Sequence, residues 1–126
     1  MKMWMACVAV LMVGSVVMGD DATDLSQKDF LKRVADEDDM VILDVRSADE
    51  YKDGRVPGAK HISHDELGDR LKELEHAKDK DIIIYCHSGR RAGMAAALLK
   101  KNGFTRLFHL DGDWKAWTKA DQNIEK

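Results

Sequence analysis

Two observations predict an α/β fold with a mostly parallel central sheet. Short β-type apolar runs alternate along the chain with segments of helical spacing, the order of repeated strand–helix units. The strand-like runs Ile82 to Tyr85 and, apart from Asp44, Met40 to Val45 are apolar without alternation. Strands of that kind suit a parallel sheet covered by helices on both faces. A length of 126 residues holds one domain and leaves no room for two ordinary ones.

The elements follow in order. Leu25 to Glu37 carries Phe30, Leu31, Val34 and Ala35 at helical spacing, with Ser26 as the predicted N-cap. The acidic run Asp36 to Asp39 reads as a solvated turn. Met40 to Val45 is a strand that runs into Arg46. Ser47 caps one or two helical turns that end at Asp53. Gly54 to Gly58 is a turn holding the only proline, Pro57, and Ala59 to Ile62 is a brief strand. Asp65 to His76 predicts an amphipathic helix on Leu67, Leu71 and Leu74. Ile82 to Tyr85 is the strongest strand, β-branched and aromatic, and it delivers Cys86. A helix after Arg90 carries Ala92, Ala95, Ala96, Leu98 and Leu99, and Asn102-Gly103 stops it. Thr105 to Leu110 is a last strand, and Trp114 to Ala120 a last short helix.

The first residues differ from the rest. Five of the seven methionines lie at or before Met18, and no acidic residue precedes Asp20. Lys2 precedes a nearly unbroken apolar stretch from Trp4 to Met18. This is the pattern of a secretory signal peptide, with Val17 and Gly19 suited to the two small cleavage positions. The stretch is shorter than the roughly 20 apolar residues of a spanning helix. The expected boundaries are residues 1–19 as a removed leader and 20–126 as the domain. Export to the periplasm is expected, with secretion left open and no stable membrane insertion after cleavage. The mature chain keeps 19 basic against 23 acidic residues, a net charge of −4. That balance argues against nucleic-acid binding, which needs a basic face. Removal of Cys7 leaves one thiol, Cys86, which excludes an internal disulfide and a cysteine metal cage. His61 and His64 are three apart, but no third metal ligand accompanies them, so no metal is expected.

Cys86 sits where ligands bind in open α/β sheets, at the carboxyl end of a strand. The loop Cys86-His87-Ser88-Gly89-Arg90-Arg91 then enters a helix. Backbone N–H groups of such a loop converge into an anion nest, and the helix N-terminus adds partial positive charge. Arg90 and Arg91 add two full charges, and Gly89 removes a Cβ where the backbone must curl. Together these favour thiolate over thiol. The residues describe a nucleophile in an anion cradle. The other reading of a lone cysteine after a core strand is a buried, inert one.

Three blocks resemble the rhodanese-like sulfurtransferases. YCHSGRRA is similar to their active-site loop, Cys-x-x-Gly-x-x-Ala/Ser. LDVRSADEYKDGRVPGAKHI resembles the upstream signature, and FHLDGDWKAW the closing L-x-GG-x-x-x-W segment. The blocks occur in family order over roughly Leu25 to Ala120. The resemblance implies that Cys86 carries a persulfide and that the backbone amides of His87 to Arg91 hold it and the incoming anion. Arg90 and Arg91 would bind the sulfonate end of thiosulfate, and Asp44 and Arg46, of the DVR motif, would support the site structurally. It implies a small anionic sulfur donor such as thiosulfate, an acceptor that is a thiol, cyanide or a partner protein, and no cofactor. Two departures stand out. Arg55 replaces the usual histidine, placing a cation near the expected site mouth. Asp113 replaces the second glycine of the closing motif and is expected not to touch the nucleophile. Phosphatases with a similar cradle need Cys-x5-Arg, whereas here the sixth position after Cys86 is Ala92. The shorter loop favours sulfur as the transferred atom. A persulfide carrier with little turnover and a redox-sensing thiol, oxidised without any sulfur donor, are the competing readings.

Overall fold

A computed structural model of the chain describes residues 21–126, so the predicted leader lies outside the described residues. Five parallel strands stand in the order β1-β5-β4-β2-β3. They are β1 (Thr23–Leu25), β2 (Met40–Asp44), β3 (Lys60–His61), β4 (Asp81–Tyr85) and β5 (Leu107–Leu110). The described residues also form α1 (Gln27–Ala35), α2 (Ala48–Asp53) and α3 (Arg90–Lys101), which link β1 to β2, β2 to β3 and β4 to β5, and α4 (Asp113–Lys119), which follows β5. The predicted α/β class with a parallel sheet is observed.

Strand β4 explains the layering. Successive side chains of a strand point to opposite faces. Ile82, Ile84 and Cys86 enter one core with Ala92, Ala95, Ala96 and Leu99 of α3. Ile83 and Tyr85 enter the other with Phe30 of α1 and Trp117 of α4. Both faces of β4 are thus covered, which is why its sequence is apolar without alternation.

Local chemistry sets the helix starts. Ser26 accepts the Asp29 N–H at 3.1 Å. Ser47 and Glu50 form a reciprocal capping box at the start of α2. Helix α4 starts differently, from Gly112 at φ +82° with no side-chain cap. A Cβ on Gly112 would overlap that of Ala116, which is fixed to the helix backbone. Gly112→Ala is therefore expected to destabilise the domain by about 2–3 kcal/mol, combining left-handed strain with overpacking. Chemical denaturation checks this, and a loss under about 0.5 kcal/mol would contradict it.

Two elements differ from the sequence reading. The helix expected over Asp65 to His76 is two tighter 3₁₀ segments, Leu67–Asp69 and Leu71–Ala77. Arg70, at φ −119° and ψ 19°, interrupts helical geometry between them. Leu67, Leu74 and Ala77 are buried in the core, while Leu71 stays half-buried. Leu25, the expected start of the first helical segment, belongs to strand β1. That strand pairs with β5, Leu25 opposite Leu110.

Candidate active site

Strand β4 ends at Tyr85, and the next residue, Cys86, is 1% exposed. The chain then turns through His87 and Ser88 to Gly89, whose φ of +109° is in the region glycine alone adopts without strain. That turn brings the Gly89 N–H back onto the thiol: Cys86 Sγ accepts it at 3.0 Å. Helix α3 begins at the next residue, so its first N–H groups lack helical acceptors.

A cleft of about 300 Å³ opens over Cys86, lined by His64, Ser88, Arg90, Arg91 and Met94. The structure thus brings together four of the six loop residues singled out in the sequence. Arg90 is exposed at the rim. Gly89 acts through its backbone, and His87 is exposed and does not line the cleft. The His87 carbonyl accepts the Lys115 N–H at 3.1 Å, and the Cys86 carbonyl accepts that of Trp114 at 3.0 Å. The start of α4 is therefore stitched to the cysteine loop.

Arg91 is not a free cation. Its guanidinium makes two hydrogen bonds to the Glu50 carboxylate, at 2.7 and 3.1 Å. That pairing, opposed by partial burial and helped by the capping box, holds the Glu50 carboxyl down to about 2. Glu50 lies 41 residues from Arg91, so no local spacing announces the pair. Arg91 lines the cleft already paired, whereas Arg90 has no ion-pair partner among the described residues. Glu50, His64 and Met94 were not among the residues assigned to the site from the sequence.

Asp44 and Arg46 lie beneath, not in, the cleft. Both are buried. Arg46 Nε bonds both Asp44 oxygens, and an Nη bonds Asp44 Oδ2 at 2.7 Å and the Gly54 carbonyl at 2.6 Å. Tyr85 donates to Asp44 at 2.6 Å. Burial and the Asp44 carboxylate push that phenol well above its ordinary value, so it stays a donor. The network ties the ends of β2 and β4 to the turn after α2.

The two departures resolve differently. Arg55 is turned to the C-terminal segment: it pairs with Glu125, and its guanidinium stacks 4.4 Å over Tyr51. Asp113 corrects the expectation outright. It is buried, and its Oδ1 accepts the backbone N–H of Cys86 at 2.9 Å. Its other oxygen meets His109 Nε2 at 2.9 Å. His61, offered once as half of a metal pair, instead bonds the Arg46 carbonyl through Nε2 and stacks on Tyr51. Among the described residues no group of three His, Cys, Asp or Glu side chains is placed to hold a metal ion. Nor is any helix among them long and apolar enough to cross a membrane.

A model of the rhodanese-like domain matches residues 26–120. The chain belongs to the rhodanese-like domain family. Among its relatives, YrkF of Bacillus subtilis, by name a candidate sulfur carrier, is 37% identical over 75% of this chain and 50% of its own length. The thiosulfate sulfurtransferase GlpE of Pseudoalteromonas translucida is 34% identical over 72% of this chain and 86% of its own. The crystal structure of a thiosulfate sulfurtransferase from Pseudomonas aeruginosa superposes with a TM-score of 0.73 at 26% identity. It covers 82% of this chain and 20% of the Pseudomonas one. The tRNA uridine(34) hydroxylase of Cytophaga hutchinsonii matches too, 38% identical over 64% of this chain and 27% of its own length. The chain therefore spans half or less of several longer relatives and nearly all of single-domain ones. Sulfur transfer, by enzyme or carrier, is the chemistry that the family and these sulfur-handling relatives support.

Proposed function

We propose that this rhodanese-like domain is a sulfurtransferase that takes the sulfane sulfur of thiosulfate onto Cys86 and passes it to a thiophilic acceptor. The observation that carries the reading is the Gly89 N–H aimed at Cys86 Sγ at 3.0 Å, at the foot of an arginine-lined cleft. The Cys86 thiolate attacks the outer sulfur of thiosulfate. A new S–S bond forms, the bond to the sulfonate sulfur breaks, and sulfite leaves with its electron pair. Arg90 and the first amides of α3 offset the negative charge on the persulfide and on departing sulfite. An acceptor thiol, partner-protein thiol or cyanide then attacks the outer sulfur and releases Cys86 as thiolate. No cofactor takes part in this scheme.

The reading includes export. The apolar run from Trp4 to Met18 supports delivery to the periplasm with removal of residues 1–19. One experiment reads both claims: mass spectrometry of the protein from a periplasmic extract, before and after thiosulfate. The expected chain starts at Asp20 and gains one sulfur, confined to the Cys86 peptide and discharged by cyanide as thiocyanate. A chain retaining its first residues would defeat the export claim. Failure to load from thiosulfate, with loading from another persulfide, would make the domain a carrier.

A further inference from the structure

Asp113 occupies a backbone position at φ +57°, where glycine would be unstrained and side chains are uncommon. It is nevertheless buried, and its carboxylate lies directly under the cysteine loop. One oxygen accepts the Cys86 N–H, and the other is bonded to His109. The fit to the loop is tight: a Cβ added to Gly89 would stand 3.2 Å from Asp113 Oδ2 and 3.7 Å from His109 Nε2. A strained residue held in this way points to a role at the site. A carboxylate bonded to the backbone of the residue that carries the sulfur is, by itself, unfavourable for a thiolate, a persulfide and an anionic donor.

His109 resolves the conflict. Its Nε2 faces Asp113 of α4, and its Nδ1 faces Asp24 of β1 at 3.0 Å. Asp21, just before β1, shares the adjoining cavity of about 270 Å³, and Lys100 of α3 lies 3.7 Å from it. Helix α3 faces His109 with Ala92, Gly93 and Ala96, none of them charged. The Asp113 hydrogen bond first, against partial burial, and then Asp24 push the His109 ring up to about 9.

We propose that Asp113 and His109 are a positioning pair for the sulfur-transfer loop. Asp113 clamps the Cys86 peptide, and the His109 imidazolium cancels the Asp113 charge, so the clamp does not repel the anions the loop receives. The proposal rests on the thiosulfate reading for its substrate, but the clamp itself is read from contacts.

The test compares wild type, His109→Gln and the double variant His109→Gln/Asp113→Asn. Asparagine keeps an oxygen for the Cys86 N–H without the charge. Thiosulfate kcat and KM are measured from about pH 6 to about pH 10, and Cys86 alkylation by iodoacetamide is followed over the same range. His109→Gln is expected to raise KM about tenfold near neutral pH, with a smaller change in kcat, and to slow alkylation. The double variant is expected to recover most of both losses, which a merely structural contact would not allow. Wild-type KM is expected to rise as pH passes about 9, where the ring loses its proton, and the double variant to lack that rise. Unchanged KM and alkylation in His109→Gln, or a double variant no better than the single, would overturn the pair. Should His109→Gln fail to fold, Asp113→Gly, which suits the backbone, carries the test: an inflection near pH 9 that persists in it overturns the screening role. Absence of thiocyanate from wild type would defeat the thiosulfate reading alone, since alkylation still reports on the pair.

Discussion

Cys86→Ser is expected to reduce thiocyanate formation from thiosulfate by about three orders of magnitude or more. An alcohol at neutral pH is protonated and a poor nucleophile toward sulfur. No group in the cleft is placed as its base: His87 is exposed outside the lining, and no bond joins His64 to the sulfur. The fold should survive. The Cys86 peptide is held from Asp113 and Trp114, and a serine oxygen still accepts the Gly89 N–H. The cost is about 1 kcal/mol, for a polar atom in a site that also touches the α3 core. Activity is read by the colorimetric thiocyanate assay and stability by a thermal melt of the same sample. Residual activity within about tenfold of wild type would rule out a covalent persulfide on Cys86.

Much of this site is local in the sequence, and that part is legible there. Cys86, Gly89 and the start of α3 lie within five residues, so strand, turn and helix signals place them together without tertiary knowledge. The apolar runs of β2 and β4 are equally plain, because both faces of a central parallel strand are buried. What escaped has a common cause: it depends on partners far along the chain. Strand β1 is three residues, Thr-Asp-Leu, with a single apolar side chain, and only its register against β5 makes it a strand. Arg91 reads as a free cation until Glu50 is brought beside it by the packing of α2. Asp113 reads as a lapse in a glycine motif until the turn after β5 folds it under Cys86. The 3₁₀ segments escaped for a different reason. Leu67, Leu71, Leu74 and Ala77 all fall on one face of an α-helix, so their spacing carries no sign of the break at Arg70.

Arg46→Met is expected to destabilise the domain by about 3–5 kcal/mol, the loss that follows when one partner of a buried ion pair is removed. The Arg46 side chain is 2% exposed and that of Asp44 is not exposed at all. The guanidinium also bonds the Gly54 carbonyl and lies 4.4 Å over the Trp114 ring. Methionine fills much of the volume and keeps contact with the ring, so the loss isolates the charge left on Asp44 rather than a cavity. Tyr85 and the Arg46 backbone N–H would still donate to that carboxylate, which limits the damage. In a domain of this size the melting temperature should fall by roughly 15 °C or more. Adding Asp44→Leu should return part of the loss despite removing a second polar group, because replacing a buried pair by apolar side chains is far less damaging than halving it. The recovery would be incomplete, since the Tyr85 hydroxyl loses its acceptor. A single-variant loss under about 1 kcal/mol would place the pair with exposed salt bridges in energetic weight, and the tie between β2, β4 and the turn after α2 would then rest on packing alone.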